Sequence, residues 1–445
     1  MSWSPDGYCL FAGYKNGWAT WSVYGKPSGN SFAVRKSLLE QKPNEGYLGG
    51  VKDGSWIAGG GEILLLRADG DERIWSLEFA KSSIAGCFSS VNTARPMLQT
   101  GEKLLVYRGY DQDDNTMISQ DSSVLWHSVQ VPASYLADNW PIRASVISPD
   151  GRYVAVAGSR GLAHYSINSG RWKTFGNQQM EQDFVVRGGM CWYQHILIAA
   201  VESKDSFQLR LYSRELQLDN AMLVHLEMLP SAVVVLSLTA DDSLLVYTTD
   251  NVLYHFIVQS TENSVKLVQV GQITFHGIIP AAARVRAISW IVPDEQLRGG
   301  DPSKDVAVAT MIFLVDGKLV LLQPLTTDGG ELKYDMRILL QNVEYYALIR
   351  DQPTQQSFMP RPEQDMPLNE TFPLVVMETY LSDSLWAFDG NDVKVCPMIP
   401  LCDQPLTKAG MDRCQGYHRI RGTWAGATTT SQGSGRFLPH VYTGK

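Results

Sequence analysis

An all-β fold made of repeated small sheets is predicted by three features of this 445-residue sequence. First, short apolar strands alternate with Asp-Gly and Asn-Gly type turns. Second, one block of strands and turns recurs along the chain. Third, the copies are spaced by multiples of about 45 residues, which is the length of one propeller blade. A lone four-stranded sheet cannot bury both of its faces, so sheets of this kind pack side by side around an axis. The sequence therefore predicts WD-repeat-like β-propeller blades.

The recurrent block is SPDGRYVAVAGSRGLAHYSI, residues 148–167. It aligns without a gap on SPDGYCLFAGYKNGWATWSV, residues 4–23, at a shift of 148 − 4 = 144, and the turn glycines coincide. A further copy, TADDSLLVYTTDNVLYHFIV, follows at a shift of 239 − 148 = 91 and places His255 on His164. A weaker half-step copy covers residues 188–215. Because the two histidines share a blade position, we predict a repeated structural role rather than a pair of metal ligands.

Counting every candidate unit yields about eight or nine partial blades, which favours two rings over one. The further units lie at 47–79, around 101–111, at 287–325 and at 372–390. We expect residues 1–135 to be the last blades of a truncated first propeller. We expect 140–398 to be a second propeller. From residue 399 the alternating pattern stops and glycines accumulate, so 399–445 is expected to be a disordered or non-native tail, and the whole chain an internal fragment.

Composition limits which kinds of partner and which cellular compartment we expect for this protein. The net charge is −8 and no block of basic residues could follow a phosphate backbone, so nucleic acid is not expected as a partner. Six scattered cysteines without a C-x-x-C pair, and no secretory signal, indicate free thiols in the cytosol. The longest apolar run, 306–315, is about half the length that a membrane-spanning helix needs.

No motif for covalent chemistry stands out. We find no G-x-S-x-G elbow, H-E-x-x-H helix, EF-hand loop or Cys/His zinc cluster, so no catalytic residue, metal ligand or cofactor is assigned. The turn at residues 158–161, Gly-Ser-Arg-Gly, resembles an anion-binding loop but lacks its helix and Lys, which favours a structural bend. The acidic run at 111–114 is interpreted as a solvated loop rather than a calcium site.

Two sets of residues are weaker candidates for protein contacts. Three turn cations could face an acidic protein surface: Arg160, Arg187 and Arg214. Nine tryptophans recur near strands, where core packing is the first expectation: Trp3, Trp18, Trp21, Trp56, Trp75, Trp172, Trp192, Trp290 and Trp386. The residues that contact a partner stay unknown at this level.

Several long stretches resemble the ribosome-control (Ric) family, the large propeller-bearing subunit of a two-protein Golgi complex. They are SWSPDGYCLFAGYKNGWATWSV, VAVAGSRGLAHYSINSGRWKTFG, MEQDFVVRGGMCWYQHILIAAV and RLYSRELQLDNA, and the resemblance extends over about residues 2–395. It implies guanine-nucleotide exchange on a Rab-six-type GTPase together with a smaller arrestin-like subunit, in endosome-to-Golgi retrograde traffic. It further implies a cytosolic protein that reaches the Golgi membrane through its partners, and it supplies no catalytic residue.

Two alternatives from other functional classes stay open. One is a propeller adaptor of coat or tethering type without exchange activity. The other is a propeller hydrolase or quinoprotein dehydrogenase, which requires convergent acidic or metal-binding side chains at the central channel.

Overall fold

The computed structural model describes most of the chain. Left undescribed are residues 8, 32–49, 58, 69, 71–72, 109–125, 205, 240–241, 262–263, 327–331, 350–383, 390–392, 398–417, 421–438 and 443–445. The described strands form eight antiparallel four-stranded sheets, which we number I to VIII. The predicted all-β fold of propeller blades is confirmed.

Three sheets come from the first part of the chain. Sheet I consists of β1 (Ser2–Trp3), β2 (Cys9–Tyr14), β3 (Gly17–Ser22) and β4 (Pro27–Asn30). Sheet II consists of β5 (Val51–Trp56), β6 (Glu62–Arg67), β7 (Ile74–Phe79) and, paired to β7, β32 (Pro439–Tyr442). Sheet III consists of β8 (Lys81–Ser82), β9 (Met97–Gln99), β10 (Lys103–Tyr107) and β11 (Trp126–Gln130).

The next three sheets follow one another along the chain. Sheet IV consists of β12 (Ala144–Ile147), β13 (Tyr153–Ala157), β14 (Ala163–Ser166) and β15 (Arg171–Lys173). Sheet V consists of β16 (Val185–Tyr193), β17 (Ile196–Ser203), β18 (Ser206–Ser213) and β19 (His225–Leu229). Sheet VI consists of β20 (Val233–Leu238), β21 (Ser243–Thr248), β22 (Val252–Thr261) and β23 (Ser264–Thr274).

Two more sheets complete the described strands. Sheet VII consists of β24 (Val285–Ile291), β25 (Thr310–Val315), β26 (Lys318–Thr326) and β27 (Leu332–Leu340). Sheet VIII consists of β28 (Tyr345–Leu348), β29 (Ser384–Phe388), β30 (Val393–Pro397) and β31 (His418–Ile420). Apart from β31 and β32, the predicted tail lies outside the described residues.

Helices are short and join strands. They are α1 (Ser83–Gly86), α2 (Ser90–Ala94), α3 (Ala133–Asn139), α4 (Gln178–Gln182), α5 (Asp294–Gly299) and α6 (Asp305–Val308), with 3-10 turns at Asn220–Met222, Ala282–Arg284 and Pro302–Lys304. The apolar run at 306–315 therefore divides into the end of α6 and all of β25. In the described part of the chain, no helix has the length and apolar character to cross a membrane.

Apolar clusters join neighbouring sheets. One cluster joins sheet I to sheet II, and five more join the sheets from III to VIII in order. Leu197 and Leu209, which lie on opposite faces of sheet V, are both fully buried. Burying a leucine in this way contributes about 2 kcal/mol relative to leaving it exposed. None of these six clusters joins sheet II to sheet III. The boundary near residue 140 that the sequence predicts between two propellers stays a prediction.

The repeated block forms the same turn in sheets I and IV. Ser4 Oγ donates to Asp6 Oδ1 and accepts from Cys9 N, at 2.5 Å and 2.9 Å. Ser148 Oγ donates to Asp150 Oδ1 and accepts from Tyr153 N at the same two distances. The following glycines, at positions 7 and 151, have φ of +73° and +71°, which L side chains rarely adopt.

The strand register follows the same repeat. Ala12 pairs with Ala19 in sheet I, and Val156 pairs with Ala163 in sheet IV, 144 residues later. In sheet VI, the corresponding turn position is taken by Asp242, at φ +76°. The gapless sequence alignment therefore reflects one hairpin geometry that is used more than once.

Removing the serine of this turn tests its contribution. Ser148→Ala removes a buried hydroxyl from this turn, and we expect the free energy of unfolding to fall by about 1–2 kcal/mol. Urea denaturation followed by tryptophan fluorescence measures the change. Ser134→Ala, at an exposed position of α3, is the matched control and should leave the midpoint unchanged. Equal effects of the two substitutions would contradict the role of the turn.

Candidate functional site: a filled centre and an apolar outer rim

The connection between β8 and β9 of sheet III fills the space between the first strands of other sheets. The first strands of sheets IV, V, VI and VII contact one another in order. Residues 83–94, which contain α1 and α2 and which we call the central plug, lie against the first strands of sheets IV, V and VIII. Ser83 Oγ lies 2.8 Å from Ser145 Oγ on β12, Cys87 Sγ lies 3.3 Å from Met190 O on β16, and the ring of Phe88 lies 5.5 Å from that of Tyr346 on β28.

Hydrogen bonds of Asn92 hold the plug in place. Its Nδ2 donates to Cys87 O and to Ser145 O, at 2.9 Å and 3.0 Å, and its Oδ1 accepts from Ile147 N at 3.2 Å. Ser89 caps α2 by accepting from Asn92 N. Asn92 is buried, so each of these bonds also avoids the cost of an unpaired polar group.

A small cavity of about 160 Å³ remains beside the plug. Most of its lining side chains are apolar, polar atoms nevertheless form the larger part of its surface, and its charged members are Arg286 and Glu344. Burial raises the pKa of Glu344. Burial also raises the pKa of the Cys87 thiol to about 11 and raises the pKa of Cys191, so both thiols stay protonated and are poor nucleophiles at neutral pH.

Metal-binding side chains do not converge in the described part of the chain. No group of three or more His, Cys, Asp or Glu residues there could hold a metal ion. The acidic run at 111–114 lies outside the described residues.

Gly86 packs closely against Arg143, the residue before β12 of sheet IV. A Cβ at this position would lie 2.2 Å from the backbone oxygen of Arg143, which cannot move aside as a flexible side chain could. We therefore expect Gly86→Ala to displace the plug and to lower the midpoint of thermal unfolding by several degrees, about 1–3 kcal/mol. Gly176→Ala, where a Cβ meets nothing within 4 Å, is the control. Limited proteolysis within 83–94 provides the second measurement, and an unchanged Gly86→Ala protein would contradict this packing.

The two aligned histidines pack against a tryptophan in the same way. His164 on β14 meets the ring of Trp192 on β16 at 5.9 Å, and His255 on β22 meets that of Trp290 on β24 at 4.6 Å, both edge to face. Each histidine is thus completely buried against the first strand of the next sheet. This geometry supports the predicted structural role.

Arg214 explains the protonation of His164. Its Nη1 lies 2.8 Å from His164 Nδ1, and its Nη2 donates to Arg171 O at 2.8 Å. Since a guanidinium only donates, His164 Nδ1 accepts, and the imidazole is neutral. Burial, with Arg214 and Lys173 nearby, lowers the pKa of His164 to about 3, and burial lowers that of His255 to about 4.

These pKa values predict an acid-sensitive fold. Both are lower than the ordinary 6.5, so the unfolded chain binds more protons, and stability is lost as the pH falls below 6.5. We expect His255→Gln to reduce the loss of unfolding free energy between about pH 7 and pH 5 by about 2 kcal/mol. Urea denaturation at a series of pH values tests this. Gln259→Ala, at an exposed position on the same strand, should leave the pH dependence as it is in the parent; an unaltered slope in His255→Gln would refute the argument.

Three backbone amides of the turn at 158–161 donate to acceptors within the protein. Gly158 N donates to the Tyr135 hydroxyl at 2.8 Å, Ser159 N to Asn139 O at 2.7 Å, and Gly161 N to Phe184 O at 3.0 Å. An anion would have to displace these acceptors. The arrangement supports a structural bend.

The candidate cations have different environments. Arg160 donates to Gln182 O, and Arg187 pairs with Glu202 at 2.8 Å while staying 61% exposed. Arg214 is buried, so its interpretation as a surface cation was wrong: the sequence does not show that His164 and two backbone oxygens lie around it. Among the tryptophans, Trp18, Trp192 and Trp290 are buried, whereas Trp3 is 53% exposed.

The outer strands of sheets V and VII expose apolar side chains that the sequence analysis did not single out. Leu226 and Met228 on β19 are 40% and 54% exposed. Met336 and Ile338 on β27 are 53% and 48% exposed. We call these four residues the outer rim. The alternating patterns HLEML and DMRIL are the signal that could have identified them.

Strand register shows which face carries the rim. Leu226 is opposite Arg210, and Arg210 is opposite Ala199, which belongs to the cluster between sheets IV and V. Residues directly opposite each other point to one face, so Leu226 lies on the face that is turned toward sheet IV. Sheet IV ends in β15, a strand of only three residues. Met336 is opposite Leu322, which places it on the face turned toward sheet VI.

Comparison with known proteins agrees with this architecture. Residues 100–417 match the family model described as RIC1 second beta propeller domain. The chain belongs to this RIC1 family. The resemblance noted in the sequence is thereby confirmed, and both strands of the outer rim lie within the residues matched to the RIC1 model.

Named RIC1 proteins are similar over part of their length. Guanine nucleotide exchange factor subunit ric1 of Schizosaccharomyces pombe is 31% identical over 279 residues, which is 62% of this chain and 26% of that protein. Guanine nucleotide exchange factor subunit RIC1 of Homo sapiens is 29% identical over 273 residues, 50% of this chain and 19% of that protein. The chain therefore spans about a quarter or less of the length of these relatives.

Among solved structures, the Cps50 (Swd1) beta-propeller domain of Myceliophteria thermophila is similar to this chain. The two are 12% identical, with a TM-score of 0.33, over 76% of this chain and 85% of that domain.

Proposed function

We propose that this chain belongs to the propeller subunit of a two-protein guanine-nucleotide exchange factor for a Rab-six-type GTPase. The subunit works with a smaller arrestin-like partner in endosome-to-Golgi retrograde traffic, and it reaches the Golgi membrane from the cytosol through its partners. The observation that carries the proposal is the match to the RIC1 family, whose relatives are named as exchange factor subunits.

Exchange of this kind needs no covalent step. A factor that binds the nucleotide-free GTPase more tightly than the loaded form lowers nucleotide affinity by that difference. The outer rim offers what such binding requires, since exposed Met and Leu side chains on a rigid sheet contribute apolar contact area to an interface. Our proposal is that the rim contacts a protein of the exchange complex.

The rim is equally suited to the partner of an adaptor or tether, so the decisive measurement is nucleotide release.

The hydrolase alternative needs convergent acidic or metal-binding groups at the centre. In the described part of the structure, the cavity there is lined by apolar side chains together with Arg286 and Glu344, which does not favour that alternative.

Substitution of the rim tests the proposal on the purified complex of full-length subunit, smaller subunit and Rab loaded with fluorescent GDP. We expect Met228→Glu or Met336→Glu to slow GDP release about tenfold, because a carboxylate would be buried in an apolar contact worth at least about 1.4 kcal/mol. Leu297→Glu, at a 63% exposed position on α5 away from the rim, is the control.

Two results would contradict these statements separately. If the parent complex does not accelerate GDP release, the proposal of exchange activity is wrong and the adaptor alternative is favoured. If the parent is active and both rim variants match Leu297→Glu, the rim is not the contact surface.

A further inference from the structure

The interface between sheets II and III differs from the other contacts between consecutive sheets from I to VIII. Instead of a shared apolar cluster, it contains a cleft of about 350 Å³, which we call the II–III cleft. Three parts of the chain line this cleft. Sheet II contributes Glu62, Ser76 and Glu78, and sheet III with the turn after β9 contributes Lys81, Gln99, Glu102 and Lys103. The connection to sheet IV contributes Trp140 and Pro141.

The cleft lies against the uncovered face of sheet II. On one face of β6 and β7, Ile63 and Leu77 pack against sheet I and are fully buried. The other face carries the acidic pair Glu62 and Glu78 at one end and apolar side chains at the other. Those apolar side chains are exposed: Leu64 by 38%, Leu66 by 41% and Ile74 by 63%.

Negative charge is in excess at the acidic end. Glu62 and Glu78 are directly opposite each other on β6 and β7, where like charges are unfavourable. Glu62 accepts a hydrogen bond from Ser76. On its other side Glu78 is opposite His440 of β32, and it makes no side-chain hydrogen bond or ion pair with any residue whose side chain the structure describes.

Lys81 does not neutralise this pair. Its Nζ lies 3.0 Å from Asp6 Oδ2 and donates to Gly59 O at 2.9 Å. With Lys81 assigned to Asp6, the lining has three carboxylates, of Glu62, Glu78 and Glu102, against the single ammonium group of Lys103. A cation entering between the carboxylates would relieve their repulsion.

An aromatic ring stands at the same cleft. Trp140 is 39% exposed and lines the cleft, with its indole nitrogen close to Gly101. Tryptophan is the aromatic side chain that attracts a cationic group most strongly through its ring face. The cleft therefore combines carboxylates, an aromatic surface and an adjoining apolar strip.

We infer that the II–III cleft binds an arginine side chain of a partner protein. The planar guanidinium, with five donors, can bond the two opposed carboxylates and stack on the indole, which a compact ammonium group cannot do to the same degree. Apolar residues on one side of this arginine rest on Leu64, Leu66 and Ile74, which all lie at the same end of the face. The partner is thus an extended segment with an arginine next to a run of apolar residues, and the inference does not depend on exchange activity.

A labelled peptide tests the inference on the full chain. The probe is a fluorescein-labelled hexapeptide with a single arginine followed by leucine and valine residues, and the comparison peptide replaces arginine by citrulline, which has the same shape without the charge. We expect saturable binding of the arginine peptide by fluorescence anisotropy, weakened by salt and at least about tenfold weaker for the citrulline peptide.

Variants of the chain locate the site. Glu78→Gln should weaken binding of the arginine peptide about tenfold, and Trp140→Leu should weaken it about fivefold, because each removes one part of the recognition. Glu295→Gln, an exposed glutamate on α5, is the matched control and should bind as the parent does. Thermal unfolding of each variant verifies that the fold is retained.

Three outcomes would overturn the inference. They are no binding of the arginine peptide at millimolar concentration, equal binding of the citrulline peptide, and Glu78→Gln binding as tightly as Glu295→Gln. Displacement of the peptide by millimolar calcium chloride but not by sodium chloride of equal ionic strength would instead identify an inorganic cation site.

Discussion

Burial of both faces of a four-stranded sheet is the constraint on which the rest of this structure depends. Sheets IV to VII each satisfy it, since an apolar cluster lies on either side of each of them. At about 25 cal/mol for each Å² of apolar surface removed from water, this lateral contact outweighs any single hydrogen bond in the chain. Strand pairing within a sheet shapes the blade, and packing between sheets stabilises it.

The same constraint decides where functional groups can lie. Because the first strands of neighbouring sheets converge, the space between them is narrow, and the central plug takes it up. The polar groups there, such as Asn92, are engaged in hydrogen bonds within the protein. Surfaces that could bind a partner are consequently found where lateral burial stops, at the outer rim and in the II–III cleft.

Part of the site description could be derived from the chain alone. The shared position of His164 and His255 correctly indicated one repeated packing against a tryptophan of the next sheet, and the glycines of the 158–161 turn indicated a bend. Arg214 could not be placed, because its burial depends on residues 43 and 50 positions earlier that only the folded sheets bring to it. The rim was missed for a related reason: whether an alternating strand is exposed depends on how far the facing sheet extends.

The sequence by itself determined the all-β class, the repeat, the turn geometry and the family, since these follow from local alternation of side chains and from turn residues that recur at fixed offsets. Tertiary structure alone decided that residues 83–94 fill the centre, that Glu62 and Glu78 stand opposite each other, and that no apolar cluster of the described residues joins sheet II to sheet III. Local patterns specify how each sheet forms, whereas contacts between sheets join residues far apart in the chain and leave no periodic trace in it.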